Sequence, residues 1–267
     1  MRAKPYHPVV LDLLQSDNAR RILDAPCGQG WLGDALLAGS ALADGASSSP
    51  PTVIGSHTHA ARADGPSAHA SRVLDGIGLY EFPAPGNRYR SVVEHDLNYP
   101  LLNHSERYDT VVCAEAIHLL TCPGTMLESF IAALKPGGRV IITTPNNWAP
   151  NSRLRFLRRG FHAGFNTSID KQVGADYITY FPFSFDQLHR LLRHYRFEDI
   201  TLHPVAEPKP VTLLHRMLSA GSRRYCRKQA ARAASSDIRR YWLDAGSDAA
   251  QHGRWLVMSA KTPTTMG

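Results

Sequence analysis

The segment ILDAPCGQGWLG, residues 22–33, has the residue types and order of a ligand-binding turn. An apolar run ends at Asp24, a turn containing Gly28 and Gly30 follows, and a helical pattern begins at Trp31. Glycine lets backbone approach a ligand closely, and the N-terminus of the next helix favours an anionic group such as a carboxylate. Asp24 could meet a ligand ammonium group directly or through water. The segment therefore predicts a site for a small charged ligand.

The glycine spacing alone does not choose the ligand. G-x-G also occurs in ordinary turns, and Gly28, Gly30 and Gly33 together match the G-x-G-x-x-G fingerprint of dinucleotide sites. A nicotinamide-dependent dehydrogenase is therefore an alternative, although the sequence contains no recognised hydride-transfer constellation.

Further motifs follow this turn in a fixed order: HDLN at 95–98, YDTVVCAE at 108–115, LKPGG at 134–138 and TPN at 144–146. Together with D-x-x-C-G-x-G at 24–30, they resemble class I S-adenosylmethionine-dependent methyltransferases of a bacterial, uncharacterised or cell-envelope-related branch. In that family D/E-x-G-x-G-x-G is usual, and Pro26 here replaces the first glycine. The resemblance covers about residues 20–38 and 72–204. It implies S-adenosylmethionine as cofactor.

Carried over residue by residue, the resemblance assigns the methionine end of the cofactor to Asp24, Ala25, Cys27, Gly28 and Gly30. Adenine would lie against Asp96 and Leu97, because a carboxylate can accept a hydrogen bond from an exocyclic amine. Glu115 would lie where the site opens to the methyl acceptor. Taken singly, Asp96 could instead cap a turn and Glu115 a helix.

The second strand departs from the family pattern. Relatives usually close it with an acidic residue that holds the ribose hydroxyls, and here that place falls on Gly78, followed by Leu79. Gly78 and Leu79 are still expected at the cofactor. The ribose would then be held by Asp75, by Glu81 or by backbone groups, or the cofactor would bind weakly.

His118 is the candidate catalytic base. It lies in AIHLL at 116–120, where relatives often show Ile-Glu-His-Leu, and it takes the place of the glutamate. Methyl transfer from a sulfonium depends mainly on in-line placement of the nucleophile, so a base is optional. For a hydroxyl acceptor, His118 has an ordinary pKa near working pH. Alternatively, it only packs at a helix start.

On the substrate side, the candidate contacts are Asn146, Arg153 and Tyr177. The segment NSRLRFLRRG at 151–160 resembles the substrate-side loop of bacterial methyltransferases of uncharacterised or envelope-related role. Its arginines could hold phosphate or carboxylate bidentately. Alternatively, they form the wet face of a helix, and Tyr177 fills core.

Short β-branched runs alternate with helical spacing, which predicts a parallel sheet covered on both faces. The expected fold is α/β and doubly wound, with the seven-stranded, mostly parallel sheet of the Rossmann-like methyltransferases. Strands are predicted at Arg21–Ala25, Val73–Tyr80, Ser91–His95, Thr110–Ala114, Arg139–Thr144, Phe197–Pro204 and Trp255–Ala260. Helices are predicted at Pro8–Gln15, Trp31–Ala38, Thr125–Leu134 and Phe185–His194, with a helix stop and tight turn at 135–138.

Two segments are predicted to be insertions in a single methyltransferase domain spanning 1–267. Residues 39–71 are rich in Ala, Ser, Gly, Pro and Asp, and are expected to be flexible. Their histidines 57, 59 and 69 lack Cys or acidic partners at ligand spacing, so no metal site is expected. Residues 207–253 are expected to form a basic helical insertion before the last strand. Within it, 211–234 could lie on a membrane surface, could cover the active site, or could simply pack with a solvated face.

Composition bounds the function classes. A chain of 267 residues with 43% hydrophobic content can bury one substantial core. No stretch reaches the roughly 20 apolar residues of a membrane span. The four cysteines form no C-x-x-C pair, which predicts a reduced, cytoplasmic protein. Peripheral contact with a membrane is the alternative that segment 211–234 adds. The net charge of +7 favours anionic partners without choosing among them.

The expected acceptor is a small molecule, a lipid or a glycan. Enzymes that methylate nucleic-acid bases carry Asn/Asp-Pro-Pro-Tyr/Phe or Pro-Cys after the fourth strand, whereas this chain has CAEA at 113–116. No RNA-binding module is recognisable, so nucleic acid is not the expected partner, although ribose or tail methylation of RNA stays an alternative. A further alternative is an inactive scaffold, suggested by Gly78 and His118. The sequence leaves the oligomeric state open.

Overall fold

A computed structural model of the chain describes residues 3–45, 72–84, 88–102, 107–163, 181–206 and 211–264. Seven strands form one sheet: β1 Arg21–Asp24, β2 Val73–Gly78, β3 Ser91–Glu94, β4 Tyr108–Ala114, β5 Leu134–Pro145, β6 Glu198–His203 and β7 Trp255–Lys261. Their order is β3-β2-β1-β4-β5-β7-β6. Strands β1 to β5 run parallel, and β7 runs antiparallel to both β5 and β6. The predicted seven-stranded, mostly parallel sheet is confirmed.

The helices that accompany this sheet are α1 His7–Ser16, α2 Trp31–Gly45, α3 Pro123–Ala133, α4 Pro150–Arg159, α5 Phe185–His194, α6 Leu213–Ala231, α7 Ser236–Ala245 and α8 Asp248–His252. A short 3-10 helix, Ile117–Leu119, follows β4. Three of these helices, α6, α7 and α8, lie within the range 207–253 that was predicted as a helical insertion.

Alternate residues of the central strands pack into two separate hydrophobic cores, one on each face of the sheet. Leu23 of β1 and Val111 of β4 pack with buried residues of α3 and α5. The next residue along each strand, Ile22 and Val112, packs instead with buried residues of α1 and α2. Successive side chains of a strand point to opposite faces, so apolar strands of this kind must be covered twice. The doubly wound architecture follows from that requirement.

Two predicted boundaries need correction. Helix α2 continues to Gly45, so the first residues of the range 39–71 predicted as flexible are helical, and residues 46–71 lie outside the described part. The predicted tight turn at 135–138 is an irregularity within β5. Tyr108 pairs with Leu134 and Thr110 with Arg139, so four residues of β5 oppose one of β4. Gly137 there has φ +72°, which favours glycine.

The strand order reverses between β1 and β4. From β1 the chain continues to β2 on one side of the sheet, and from β4 it continues to β5 on the other side. In open parallel sheets ligands bind outside the carboxyl ends of the strands at such a point. The sequence motifs after β1, β3 and β4 all lie at this edge, so the fold brings them together.

Candidate active site

A cavity of about 530 Å³ lies at the carboxyl ends of β1 to β4. Its size is in the usual range for a small-molecule or cofactor site. Six of the residues predicted to contact the cofactor line it: Cys27, Gly28, Leu79, Asp96, Leu97 and Glu115. The other four, Asp24, Ala25, Gly30 and Gly78, are not part of its lining.

The glycine turn after β1 forms one wall of the cavity. Gly28 and Gly30 have φ angles of +49° and +87°, in the left-handed region that residues with a Cβ rarely adopt. The Cys27 N–H donates a 2.7 Å hydrogen bond to the Ile77 carbonyl, which fixes the turn against β2. Trp31, the first residue of α2, also lines the cavity. The positive end of the α2 dipole therefore lies at the site, where it favours an anionic ligand group.

Asp24 is fully buried behind this turn. Its Oδ2 accepts a 2.6 Å hydrogen bond from the Tyr89 hydroxyl, while Oδ1 has no hydrogen-bond partner among the described residues. Burial raises the pKa of this carboxyl to about 7, and the hydrogen bond from Tyr89 opposes that rise. Because a buried acceptor without a donor is costly, Oδ1 fits a ligand ammonium group or a water that bridges to one.

The two carboxylates that the sequence offered for the ribose, Asp75 and Glu81, lie in different places. Asp75 is buried in an ion pair with Arg90 and accepts hydrogen bonds from Ser91 and Tyr108, away from the cavity. Glu81 lines the cavity, and its Oε2 lies 3.6 Å from where a Cβ on Gly28 would be. Of the two carboxylates, only Glu81 is placed at the glycine turn.

Gly78, predicted to lie at the cofactor, is outside the cavity lining and is tightly packed. A Cβ there would lie 2.6 Å from the Glu81 carbonyl oxygen and 3.1 Å from the Phe82 ring. The chain turns back over Gly78 directly after β2, and this turn is what brings Glu81 to the cavity. The sequence shows that Gly78 occupies the position at which relatives carry an acidic residue. It does not show that the chain turns back at this point.

Asp96 caps a turn and also lines the cavity. Its Oδ1 accepts 2.9 Å hydrogen bonds from both the backbone N–H and the side-chain amide of Asn98, so it does cap a turn. It also lines the cavity beside Leu97. The Asn98 Oδ1 in turn accepts bonds from the Thr121 N–H and hydroxyl and from the Cys122 N–H. Asn98, which was not predicted, therefore fixes the loop after β3 against the segment after the 3-10 helix.

Glu115 lines the cavity, and its backbone has a left-handed φ of +56°. Its N–H donates a 3.0 Å bond to the Thr143 carbonyl, which holds this conformation. The carboxylate pairs with Lys4 at 3.2 Å, and burial together with the nearby Glu115 raises the pKa of the Tyr6 hydroxyl. No cap of a helix by Glu115 is present in the part of the chain that the structure describes.

The N-terminal segment covers the cavity, a feature absent from the sequence prediction. Lys4, Tyr6 and His7 all line it. The His7 ring stacks on Trp31, with centroids 3.9 Å apart and an interplanar angle of 9°. Burial and the nearby Lys4 lower the pKa of His7 to about 4, so the stacked ring is neutral at pH 7. The sequence predicted helix α1, but no local pattern shows that its start would lie against α2.

The profile of a protein family described as "Methyltransferase domain" matches residues 2–202. The chain belongs to the class I S-adenosylmethionine-dependent methyltransferases. Its cofactor is accordingly S-adenosylmethionine. No protein with a curated description matches the chain.

Solved methyltransferase structures share the fold. One is the Burkholderia thailandensis 1,6-didemethyltoxoflavin-N1-methyltransferase with bound 1,6-didemethyltoxoflavin and S-adenosylhomocysteine, at 17% identity and a TM-score of 0.51, covering 97% of this chain and 78% of that one. Methyltransferases from Listeria monocytogenes and Mesorhizobium loti match at 12% and 13% identity, with TM-scores of 0.49 and 0.47. Each match covers 97% of this chain, and 96% and 98% of the other chain respectively.

His118 of this methyltransferase lies in the 3-10 helix beside the cavity-lining Leu119. Its Nδ1 is 3.2 Å from the Thr144 hydroxyl, and burial lowers its pKa to about 4. The imidazole is therefore neutral at pH 7 and can accept a proton, but its pKa lies below the ordinary value expected from the sequence, so it is a weaker base than an unburied histidine. His118 itself is not part of the cavity lining.

Two of the three predicted substrate contacts, Asn146 and Arg153, are outside the cavity lining. Asn146 is buried, and its amide donates to the Ala250 and Gly253 carbonyls at 3.0 and 2.8 Å. Arg153 donates to the Gln251 carbonyl at 3.1 Å and lies over the Trp148 ring. Both side chains hold the loop after β5 and α4 against α8. Tyr177 lies outside the described residues.

Other reactive groups of the methyltransferase lie apart from one another. The described residues contain no cluster of three or more His, Cys, Asp or Glu that could hold a metal ion, and His57, His59 and His69 fall outside them. All four cysteines are free thiols. No helix within the described ranges has the length and apolar content needed to cross a bilayer.

Proposed function

We propose that this methyltransferase binds S-adenosylmethionine in the cavity at the carboxyl ends of β1 to β4 and transfers its methyl group to a small-molecule, lipid or glycan acceptor. One observation carries the proposal: a single cavity joins the glycine turn, Glu81 and Asp96, and the unsatisfied Oδ1 of Asp24 lies behind the same turn. These are the groups needed for an amino-acid carboxylate and ammonium, a ribose and an adenine.

The methionine end of the cofactor fits the glycine turn. The N-terminus of α2 favours its carboxylate, and the buried Asp24 compensates its ammonium. Ala25 contributes indirectly, because its N–H donates to the Val112 carbonyl at 2.8 Å and so ties the turn to β4. Gly30 likewise shapes the turn, since its N–H donates to the Cys27 carbonyl at 2.9 Å.

The nucleoside end fits the loops after β2 and β3. Glu81 would accept hydrogen bonds from the two ribose hydroxyls, and its position in the cavity lining beside Gly28 supports this role. Asp96 is placed to accept from the adenine amine through Oδ2, because Asn98 engages Oδ1. Leu97, which is 5% exposed, supplies apolar contact to the purine.

The acceptor enters at the side of Glu115, Lys4 and Tyr6. The bound cofactor supplies the methyl group as part of a sulfonium, so what the protein must add is placement of the acceptor nucleophile in line with it. Glu115 and Lys4 carry opposite charges at this opening, 3.2 Å apart, and can exchange their mutual contact for contacts with polar groups of an acceptor. A cavity partly covered by the N-terminal segment suits a compact acceptor group more than a folded polymer.

His118 is proposed as the base when the acceptor is a hydroxyl. Its neutral state at pH 7 and its hydrogen bond with Thr144 support this role, since the Thr144 hydroxyl can orient the imidazole. An amine acceptor that is already neutral requires no base, and His118 then serves packing.

Titration calorimetry with S-adenosylmethionine and S-adenosylhomocysteine tests the cofactor site. We expect saturable binding by the wild type and a Kd raised about tenfold or more by Glu81→Gln, because two hydrogen bonds to a charged acceptor become weaker. Glu128→Gln, an exposed glutamate on α3, is the matched control and is expected to leave the Kd unchanged. Absence of saturable heat for both ligands would instead support the inactive scaffold.

The acceptor class is tested by radiolabelled methyl transfer into fractionated small molecules, lipids, glycans and RNA. Label in one of the first three fractions supports the proposal. Label confined to RNA, with binding that weakens steeply as salt rises, would replace it with the RNA alternative.

A further inference from the structure

Helices α4 and α6 contact each other, and both carry positively charged residues without any negatively charged ones. Together they carry nine Lys or Arg residues and no Asp or Glu. Without these nine cations the net charge of the chain would fall from +7 to −2. The excess of positive over negative charge in the chain is therefore no larger than the charge carried by these two helices.

The outer face of α6 is apolar and solvent-exposed in its first two turns. Leu213, Leu214 and Met217 are 74%, 55% and 67% exposed. Positions spaced by one, three and four residues lie on one side of a helix, so these side chains form one patch. The side that packs inward carries the buried Ser219 and Cys226 instead. The sequence left open whether this segment lies on a membrane, covers the active site or packs with a solvated face, and the exposed face of α6 includes this apolar patch.

Exposed apolar side chains also occur at the end of α4. Leu157 is 75% exposed, and Phe161, just past the helix, is 53% exposed. Large apolar side chains grouped on two contacting helices are more than the scattered exposed residues of an ordinary surface.

Cations accompany both apolar patches. Arg216 and Arg224 on α6, and Arg155 and Arg158 on α4, are exposed. None of these four takes part in an ion pair with the part of the chain that the structure describes. Arg223 differs, because it pairs with Asp248 at 2.9 Å. The exposed arginines are thus available to an external anionic partner.

We propose that the α4–α6 surface, defined by Leu157, Phe161, Leu213, Leu214, Met217 and Arg216, docks this methyltransferase on an anionic lipid bilayer. The apolar side chains enter the boundary between headgroups and acyl chains, and the arginines contact the anionic headgroups. This combination of an apolar face and flanking basic residues is what holds interfacial helices at a membrane. The proposal concerns location and does not depend on the identity of the methyl acceptor.

Charge and polarity favour a bilayer over a second copy of the chain and over single-stranded RNA. An identical surface from a second copy would place arginines against arginines, because a two-fold interface pairs a patch with itself. Single-stranded RNA stacks its bases on aromatic rings and binds cations, so exposed Leu213, Leu214 and Met217 would gain nothing from it. Of these three occupants, a bilayer is the one that uses both the aliphatic and the cationic residues.

Cosedimentation with vesicles tests the proposal on the full chain. We expect binding to phosphatidylcholine vesicles that contain phosphatidylserine, weaker binding to phosphatidylcholine alone, and partial loss of binding at high salt. The double variant Leu213→Ser, Met217→Ser should lower partitioning about tenfold or more. The double variant Arg216→Gln, Arg224→Gln should lower it about fivefold per cation.

Matched controls distinguish binding through this surface from nonspecific binding through any exposed apolar or basic residue. Two substitutions should leave vesicle binding unchanged: Leu102→Ser and Arg239→Gln. Leu102 is also 74% exposed but lies outside α4 and α6, and Arg239 lies on α7. Circular dichroism and the Kd for S-adenosylhomocysteine should stay at wild-type values in all variants, which keeps this test independent of the cofactor site.

Three outcomes would overturn the proposal. The first is equal binding by wild type and the Leu213→Ser, Met217→Ser variant. The second is retention of RNA without vesicle binding. The third is a dimer, detected by light scattering, that the same variant dissociates while no vesicle binding occurs.

Discussion

The Tyr89 hydroxyl reaches across β2 to donate its hydrogen bond to Oδ2 of Asp24. The path runs over Gly76, where a Cβ would lie 2.9 Å from the Tyr89 ring. Gly76 thus lets a residue from the loop before β3 stabilise a carboxylate at the end of β1. Since Asp24 is fully buried, this bond is a principal reason why its pKa stays near 7 and not higher.

Replacing Tyr89 with Phe should weaken cofactor binding in a pH-dependent way. Loss of the hydrogen bond raises the pKa of Asp24 further, so less of it is ionised at pH 7 and the ligand ammonium loses its counter-charge. We expect the Kd for S-adenosylhomocysteine to rise about threefold to tenfold at pH 7, with the difference shrinking toward pH 9. Calorimetry across this pH range measures it.

Tyr99→Phe is the control for this substitution, since Tyr99 is 65% exposed and lies outside the cavity lining. A Tyr89→Phe defect of the same size at pH 7 and pH 9 would show that Tyr89 acts by packing and not through the charge of Asp24.

Cofactor binding should release a proton near neutral pH. With a pKa of about 7, Asp24 is partly protonated in the free protein, and an approaching ammonium group lowers that pKa. Affinity should therefore increase as pH rises through 7. Calorimetry in two buffers of different ionisation enthalpy should show release of up to about one proton at pH 6.5.

S-adenosylhomocysteine should release the proton as well, because it retains the ammonium group without the sulfonium charge. Asp24→Asn should abolish the buffer dependence and weaken binding. Heats that do not depend on the buffer in the wild type would contradict the assignment of Asp24 to the ammonium.

Gly78→Ala should destabilise the protein although Gly78 lies outside the cavity. The new Cβ would lie 2.6 Å from the Glu81 carbonyl oxygen, and backbone cannot move away as a flexible side chain would. We expect a loss of about 1–3 kcal/mol of unfolding free energy, with weaker cofactor binding because Glu81 is displaced. Thermal unfolding monitored by circular dichroism measures the first effect.

Gly221→Ala provides the matched control, because Gly221 lies inside α6 and a Cβ there meets nothing within 4 Å. Alanine in a helix interior should stabilise by about 0.5–1 kcal/mol. Equal melting temperatures for the two variants would show that the turn over Gly78 tolerates a side chain.

Sequence patterns predicted the parts of this protein that depend on local order. Helix α5 has the predicted bounds Phe185–His194, because Ser184 and Gln187 form a capping box in front of the apolar spacing. The glycine turn and the Asp96 loop were also found, since strand, turn and motif are contiguous in sequence. Their positions at one sheet edge follow from the parallel topology.

The remainder depends on contacts between distant residues. Nothing near Lys4 or His7 signals that they meet Glu115 and Trp31. The amide of Asn146 looked available in sequence, but carbonyls more than a hundred residues away use both of its N–H groups. Polar residue types indicate capacity for binding, whereas their actual partners are set by packing.

His118→Gln tests the proposed base. Glutamine can keep a hydrogen bond to Thr144 but cannot take up a proton at neutral pH, so structure and cofactor affinity should survive while base catalysis is lost. With a hydroxyl acceptor we expect turnover to fall about 100-fold or more and the Kd for S-adenosylhomocysteine to stay constant. Because the pKa of His118 is lowered to about 4, wild-type turnover should not decline through protonation of this group until pH approaches 4.

His162→Gln is the control for this test, since His162 stacks on Phe156 and does not line the cavity. If His118→Gln retained turnover within about twofold of wild type, general-base catalysis, which contributes about 100-fold or more, could not be assigned to this residue. His118 would then only pack against Thr144, and transfer would depend on the placement of the acceptor beside Glu115 and Lys4 alone.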